Sequence, residues 1–343
     1  MSLDRFAQRL WYERRFSWLS LLFLPLSLLF GLVVSLRRRA YRAGVFASSR
    51  VERPVIVIGN VTVGGTGKTP LVLWLANECK ARGIKAAIIC GGYGGSRTDS
   101  PIVVSTTSDP IEVGDEAVLL AHSFDGVVIA CSDRVAAARC AGEQGADLVL
   151  CDDGLQHYRL QRDAEVVVVD AARSWGNGRL LPAGPLREPA TRVNDAQLLV
   201  HTVRADEDQE NSSTRAPHIV VRTSIESAIS LASGEKRPLA SFRVGPVHAL
   251  AGIGNPDAFF AMLGAQGLAP DTRTLPDHAA ITAREVDFGD GHPVLMTDKD
   301  AVKCRAFADG RLWRVPLSVE ISAEHQAVLW RVVQRAMNRS PSE

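Results

Sequence analysis

A glycine-rich hexapeptide is the part of the sequence whose chemistry is clearest. Residues 64–69 read GGTGKT. Glycines let the backbone wrap closely around an anion, the lysine side chain reaches the terminal phosphates of a nucleotide, and the threonine hydroxyl is a ligand for Mg²⁺. We therefore predict a phosphate-binding loop (P-loop) for a nucleoside triphosphate and Mg²⁺, consisting of Gly64, Gly65, Thr66, Gly67, Lys68 and Thr69.

The flanking residues predict the elements that hold this loop. The run VIVIGN at 55–60 is apolar and β-branched, and Leu71, Leu75 and Ala76 have helical spacing after the loop. Strand, loop and helix in this order place phosphates at a helix N-terminus, where backbone N–H groups point outward. The general pattern GxxxxGKS/T has glycine at the position of Thr62, but the rest of the context is present.

Two further apolar runs end in carboxylates. Asp152 and Asp153 follow LVLC, and Asp170 closes EVVVVD. The carboxyl ends of parallel strands meet at one sheet edge, where an acid in a P-loop protein holds or orients Mg²⁺. An ordinary polar cap is the alternative for the paired aspartates, and Asp170 is explained equally well by structure or by function. Gln156 and His157 follow closely and either line the same crevice or have a surface role.

Asp115 starts a helical pattern in VGDEAVLLA. It suits two roles equally, a helix N-cap or a general base that takes the proton of a substrate hydroxyl. The segment SDRVAAARCAGEQGADLVLCDDG at 132–154 then reads as helix, turn and strand. Repeated units of this kind favour a parallel sheet with right-handed crossovers.

The composition restricts the class of protein. The 343 residues include 39 Lys and Arg against 38 Asp and Glu, and the net charge of +1 argues against a nucleic-acid-binding protein that is basic throughout. This length favours two domains, and 46% hydrophobic residues favour a folded protein. The six cysteines show no CxxC spacing, so neither a zinc site nor a disulfide framework is predicted.

The N-terminal segment is both apolar and basic. Residues 16–36 are 21 residues without a charge, and residues 1–53 carry ten arginines and three acids. The uncharged run is long enough for about 30 Å of helix, the thickness of a bilayer core. We predict membrane association, with a buried helix or a partner-docking element as alternatives. The sequence leaves open whether the segment crosses the bilayer or lies along it.

Together, these motifs resemble those of the tetraacyldisaccharide 4′-kinase family, enzymes that phosphorylate the lipid A disaccharide precursor. The resemblance covers nearly the whole chain and depends on the order and spacing of several motifs. They are the N-terminal apolar segment, GNVTVGGTGKTP at 59–70, GGYGG at 91–95, VGDEAVLLA at 113–121, DDGLQH at 152–157, GNGRLLPAGPLRE at 176–188, AGIGNPDAFF at 251–260, PDH at 276–278 and TDKDAVK at 297–303.

The resemblance implies an α/β fold. A P-loop-containing parallel-sheet domain and a second, smaller α/β domain would be joined by a β linker, with a membrane-associated helix at the N-terminus. The corresponding boundaries are 1–45 for the apolar helix and its basic flanks, 46–202 for the P-loop kinase domain, 203–246 for the linker region and 247–343 for the C-terminal α/β domain.

The resemblance also implies roles for individual residues. Asp115 of the GDE motif and His278 of the PDH motif would act together to activate the sugar hydroxyl. The metal-side groups would be Thr69, Asp152, Asp153 and Glu188. The candidates for contact with the substrate are Tyr93, Gln156, His157, Asn177 and Arg187.

Two positions depart from known patterns. The family commonly has arginine before Gly-Tyr-Gly, whereas this chain has Gly91, so one positioning contact near the phosphates or the sugar would be weakened. TDKDAVK resembles the base-reading motif of GTPases, but Ala301 stands where that motif has an acid. Guanine specificity is therefore not predicted.

We predict an ATP- and Mg²⁺-dependent kinase that phosphorylates the 4′-hydroxyl of a tetraacylated glucosamine disaccharide 1-phosphate in lipid A biosynthesis. Its predicted location is the cytoplasmic face of the inner membrane. Its predicted partners are this lipid A precursor and membrane lipids, with no nucleic acid and no protein partner. The alternative is a membrane-anchored P-loop ATPase or nucleotide switch, which needs no hydroxyl-activating pair at Asp115 and His278.

Overall fold

The larger of two sheets contains the strand that leads into the glycine-rich loop. The structure, a computed structural model, describes residues 3–13, 18–204, 217–277 and 279–338. Nine strands form this sheet: β1 (Val55–Gly59), β2 (Ala86–Cys90), β3 (Ile102–Val103), β4 (Val127–Ala130), β5 (Leu148–Asp152), β6 (Ala164–Asp170), β7 (Leu198–Arg204), β8 (His218–Ser224) and β15 (Ser318–Glu320).

The order of these strands is β15-β8-β7-β6-β1-β5-β2-β4-β3. Neighbours are parallel except at the two edges, where β15 and β3 run antiparallel to β8 and β4. All five residues of β1 are buried, as expected for a parallel strand covered on both faces. Ile58 pairs with Asp152 of β5 and with Val166 of β6, so the carboxyl ends of these strands lie side by side.

The second sheet has six strands: β9 (Ser227–Ser230), β10 (Lys236–Pro238), β11 (His248–Ala251), β12 (Asp271–Thr274), β13 (Val294–Thr297) and β14 (Leu312–Val315). Their order is β10-β9-β14-β13-β11-β12. The four strands from β14 to β12 are parallel, and β9 is antiparallel to both of its neighbours. Both sheets are therefore mainly parallel, which confirms the predicted mixed α/β fold class.

Nine helices occur in the described residues: α1 (Leu3–Tyr12), α2 (Leu24–Arg42), α3 (Lys68–Ala81), α4 (Pro110–Val113), α5 (Asp115–Ser123), α6 (Arg134–Glu143), α7 (Pro256–Ala265), α8 (Asp298–Cys304) and α9 (Ala323–Met337). Apolar side chains of α3, α5 and α9 cover one face of the larger sheet, and those of α6 cover the other. Each fully buried leucine or isoleucine in these layers stabilises the fold by about 1.5–3 kcal/mol relative to exposure.

The C-terminal part of the chain returns to the first sheet. Val319 of β15 pairs with Thr223 of β8, and Leu329 and Val333 of α9 lie in the same core as Ile56 of β1. Two strands from outside the predicted P-loop kinase domain therefore belong to the first sheet. They are β8, which lies in the predicted linker, and β15, which lies in the predicted C-terminal domain. The boundaries 46–202, 203–246 and 247–343 stay a prediction about independently folding units.

The N-terminal apolar segment forms a 3-10 helix at Leu19–Phe23 followed by α2. Among the described residues, the segment Leu19–Arg42 is long and apolar enough to cross a membrane, and little of it is buried. Small side chains face the protein: the Ser27 hydroxyl donates to the Leu180 carbonyl at 2.5 Å and accepts from the Ala183 N–H at 3.1 Å. Leucines and Val33 on the opposite side are exposed.

Candidate active site

The predicted P-loop connects β1 to α3. Gly67, directly before Lys68, has φ 81°, and Gly64 has φ 102°, backbone conformations in which a side chain is strained. A Cβ on Gly67 would also lie 3.0 Å from Cγ2 of Thr202. No side chain of the described residues caps the N-terminus of α3. Its first N–H groups are therefore available to an anion.

Lys68 and Thr69 each contact one of the strand-end aspartates. Lys68 Nζ lies 3.6 Å from Oδ1 of Asp153, and the Thr69 hydroxyl donates to Oδ2 of Asp152 at 2.9 Å. Arg187 Nη1 lies 3.2 Å from Oδ2 of Asp153. The structure thus brings together the lysine, the hydroxyl and both acids that the sequence analysis placed at this sheet edge.

The two aspartates differ in charge state because their surroundings differ. Burial raises the pKa of Asp152 from 3.8 to about 7, against the opposing effect of Lys68. Burial also acts on Asp153, but Lys68 and Arg187 outweigh it and hold the pKa of that carboxyl below its usual value. Asp153 is therefore a stable anion, while Asp152 is poised to ionise when a cation arrives.

The donors around Asp152 fit a magnesium ion in part. Oδ1 of Asp152 is buried and has no hydrogen-bond partner among the described residues, and the Thr69 hydroxyl adjoins the other oxygen. The described residues contain no cluster of three His, Cys, Asp or Glu side chains that could hold a metal without help. A magnesium ion here would need nucleotide oxygens and water to complete its six ligands.

Glu188 lies behind this edge and is almost fully buried. Its carboxylate accepts hydrogen bonds from the Tyr158 hydroxyl and from Gln156 Nε2, the latter at 2.9 Å, and Arg192 Nε lies 3.3 Å away. Gln156 Nε2 also donates to the Asn60 carbonyl at 3.1 Å. Glu188 therefore fixes the Gln156 side chain, and it is not among the residues that line the cavity described below.

The remaining predicted substrate residues fall in different places. Tyr93 is exposed and lines the cavity. Burial, together with the smaller effect of nearby Arg134, lowers the pKa of His157 to about 4, so this imidazole is neutral at physiological pH. Asn177 lies in the loop beneath α1, where its side chain donates to the Ala183 carbonyl at 2.8 Å. None of Gln156, His157 and Asn177 is among the residues that line the cavity.

Arg134 is a cavity residue that the sequence analysis did not identify. It is the first residue of α6 and only 3% exposed, and its Nη1 donates to the Cys131 carbonyl at 2.6 Å. Its Nη2 would lie 2.6 Å from a Cβ on Gly91, so this guanidinium occupies the space beside the glycine. An arginine at the positive end of a helix is electrostatically unfavourable, and that position in the sequence was the available signal.

Asp115 contacts α8, a helix that packs on the second sheet, and not the P-loop. It is the first residue of α5, and its Oδ2 lies 3.3 Å from Lys303 Nζ on α8. His278 lies outside the described residues. Its neighbour Asp277 is described, and Oδ1 of Asp277 lies 3.1 Å from Nζ of Lys299, also on α8. The segments on both sides of position 278 therefore adjoin the helix that contacts Asp115.

A cavity of about 740 Å³ lies between the P-loop and the second sheet, and Glu116 and Asp277 line it, whereas Asp115 is not among its lining residues. The P-loop, Asp152, Asp153 and Arg187 line one wall, and residues of the second sheet and its helices line the other. The second wall is largely apolar and includes Ile253, Ala258, Phe259, Met262, Val315 and Leu317. The arrangement combines a phosphate-binding end with an apolar surface across from it.

Comparison with known proteins identifies the family. A family model described as tetraacyldisaccharide-1-P 4′-kinase matches residues 19–336. A tetraacyldisaccharide 4′-kinase from Pasteurella multocida is 43% identical over 318 residues, covering 92% of this chain and 94% of its own. One from Pseudomonas aeruginosa (strain UCBPP-PA14) is 44% identical over 308 residues, covering 89% and 90%.

A solved structure supports the same conclusion. The crystal structure of LpxK from Aquifex aeolicus in complex with ATP superposes with a TM-score of 0.80 at 26% identity, covering 93% of this chain and 99% of that one. The predictions of the family and of a kinase are confirmed. By its fold, by the length of the match and by its curated relatives, the chain belongs to the tetraacyldisaccharide-1-P 4′-kinase family.

Proposed function

We propose that this protein transfers the γ-phosphate of ATP to the 4′-hydroxyl of a tetraacylated disaccharide 1-phosphate, with Asp115 and His278 activating that hydroxyl. The observation that carries this proposal is the 740 Å³ cavity between the sheets, which Lys68, Thr69 and both strand-end aspartates enter from one side. The GDE and PDH motifs meet at the helix α8 on the other side.

Phosphoryl transfer requires mainly positioning and charge neutralisation. The P-loop N–H groups and Lys68 would bind the phosphates of ATP, and Arg187 would hold Asp153 in place beside them. Asp115, together with His278, would take the proton from the 4′-hydroxyl as the new P–O bond forms and the bond to ADP breaks. Tyr93, which lines the cavity, would contact the sugars. The substrate roles of Gln156 and His157 rest on the family resemblance, since neither residue is among those that line the cavity.

We assign Thr69, Asp152 and Asp153 to Mg²⁺. When bound, the ion would neutralise charge on the β- and γ-phosphates. The unpartnered oxygen of Asp152 supports this assignment. Glu188, which the resemblance also places on the metal side, has hydrogen-bond or ion-pair partners at both oxygens. Its proposed role is to position Gln156.

The decisive test uses labelled ATP and a panel of glycolipids that includes the lipid A disaccharide 1-phosphate. Asp115→Asn should lower kcat by about 10²- to 10⁴-fold because the base is lost, while ATP binding measured by calorimetry stays near normal. Glu112→Gln is the matched control, since Glu112 forms a surface ion pair with Arg97. An undiminished rate in Asp115→Asn would contradict the assignment of Asp115 as the base. If the wild-type enzyme transferred label from ATP to none of the glycolipids, the proposed function would be wrong.

We also propose that α2 lies along the cytoplasmic face of the inner membrane and does not cross it. The helix is held to the protein in its first half by Ser27 and at its end by Arg38 and Arg42, which both pair with Asp195. Because α2 is fixed to the protein near both ends, its exposed leucines form one face that points away from the protein. An interfacial helix presents its apolar face to the membrane in this way.

Vesicle flotation tests whether the exposed leucines of this helix and of the preceding 3-10 helix contact the membrane. Leu22→Glu and Leu28→Glu change side chains that are 73% and 72% exposed, and each should weaken binding to vesicles about tenfold or more. Val244→Glu is the control, because Val244 is 93% exposed on the second sheet's side of the molecule. Vesicle binding that is equal in all three variants would contradict the proposal.

A further inference from the structure

We propose that Lys299 and Lys303, the two lysines of TDKDAVK, are positioning residues that assemble the hydroxyl-activating groups from two distant segments. Each lysine contacts one carboxylate of the GDE motif and one group beside His278. This inference rests on the proposed function, because it concerns how Asp115 is brought to the reaction. It gives a role to a motif that does not read a guanine base.

Lys303 contacts the proposed base directly. Its Nζ lies 3.3 Å from Oδ2 of Asp115 and donates to the Ala279 carbonyl at 3.0 Å. The lysine side chain is only 9% exposed. One ammonium group therefore fixes Asp115 and the residue that follows His278 in the chain.

Lys299 makes the corresponding contacts one turn earlier. Its Nζ lies 3.4 Å from Oε1 of Glu116 and 3.1 Å from Oδ1 of Asp277, and its side chain is 15% exposed. Lysines four residues apart lie on the same face of a helix. The pair therefore contacts adjacent acids of α5 and both chain neighbours of His278.

The helix that carries these lysines is itself fixed. Asp300 is fully buried, its Oδ2 accepts from the Gly252 N–H at 2.9 Å, and the Thr297 hydroxyl donates to the same oxygen at 2.6 Å. Asp298 pairs with Arg314 at 2.8 Å. The lysines are thus presented from a helix that is anchored to the second sheet, while α5 belongs to the first.

Burying the two lysine ammonium groups costs free energy, which indicates that they do more than hold α5 and α8 together. A nearly buried ammonium loses hydration, and the mutual attraction with its partner often only balances that loss. Apolar side chains would join α5 and α8 at lower cost. What a lysine adds is a charge that holds a carboxylate in place, and misplacement by about 1 Å costs about 10²-fold in rate.

A double-mutant cycle tests the inference in the full-length enzyme. Lys303→Met should lower kcat about 10²-fold with little change in the KM for ATP, and Lys303→Arg should recover part of the rate. In the Asp115→Asn background, Lys303→Met should have little further effect, because the lysine acts through Asp115. Lys80→Met is the control, since Lys80 pairs with Asp125 at the surface.

Two results would overturn the inference. One is a loss in Lys303→Met that is as large in the Asp115→Asn background as in the wild type. The other is a rise in the KM for ATP with kcat unchanged. If Lys303→Met does not fold by circular dichroism, the cycle of Lys299→Met with Glu116→Gln decides by the same criteria. Failure of the wild type to label any glycolipid would instead reject the proposed function.

Discussion

The two walls of the cavity are built in different ways. On the P-loop wall, the functional groups come from one hexapeptide and from the ends of adjacent parallel strands, so backbone geometry places them. On the other wall, Glu116 of the GDE motif and Asp277 of the PDH motif come from segments packed on different sheets and meet through side-chain ion pairs on α8. The first wall is a property of a local motif, whereas the second exists only once the tertiary structure has formed.

The largest effect that separates the walls should come from Lys68→Ala. Loss of this cation should weaken ATP binding and lower kcat/KM by about 10³-fold, because it removes charge from the phosphates and leaves Asp153 with one fewer partner. Kinase assays and calorimetry would measure the two quantities. Lys80→Ala, on the same helix, is the control. Lys303→Met is expected to lower kcat without weakening ATP binding. If Lys68→Ala also lowered kcat but bound ATP normally, the two walls would not differ in this way.

A smaller effect should appear in the pH dependence of stability. The folded-state pKa of Asp152 is raised from 3.8 to about 7, so between these values the native protein holds a proton that the unfolded chain has released. Its contribution to the free energy of unfolding is therefore fully present below about pH 4 and falls by about 1–4 kcal/mol as the pH rises from there to about 7. Urea unfolding without nucleotide or Mg²⁺ should show this fall, and Asp152→Asn should flatten it. An unchanged slope in the variant would contradict the assignment.

The smallest effect should come from Gly91→Ala. The new Cβ would meet the end of the Arg134 side chain, a group that can move, so we expect a loss of stability of about 0.5–1 kcal/mol and a several-fold change in KM. Steady-state kinetics and thermal unfolding measure both. Gly245→Ala is the control, since a Cβ there meets nothing within 4 Å. A large loss of kcat would show that Arg134 is less adaptable than this geometry indicates.

The difference between the walls also explains what the sequence could predict. The P-loop, its flanking strand and helix, and the strand-end acids follow from local patterns, and the structure brings them together. Arg134 was missed because the segment SDRVAAAR was interpreted only as the start of a helix, and the unfavourable position of an arginine at that end was not considered. Glu188 and Asn177 were assigned to the site from their motifs. The structure shows that Glu188 lies behind the sheet edge and that Asn177 lies beneath α1.

Long-range contacts were the least predictable. No local pattern indicates that β15 pairs with β8, because Ser318 and its partner Ser224 are about 90 positions apart. The same is true of α9, whose Leu329 shares a core with Ile56, more than 250 positions earlier. The same applies to the lysines of α8, whose partners lie in α5. The sequence left Asp115 open between a helix cap and a base, and the family resemblance paired it with His278. Neither gave an account of what holds the two segments together.

The return of the chain to the first sheet has a mechanical consequence. The second sheet is inserted between β8 and β15, with two residues connecting it on each side, and the residues at which the chain leaves and re-enters, Ser224 and Ser318, are register partners. The inserted unit is therefore joined to the first sheet by two short connections that start from paired residues of antiparallel strands. Two connections side by side restrict twisting of this unit more than rotation about the line that joins them. They thereby favour one register between the lysines of α8 and the carboxylates of α5.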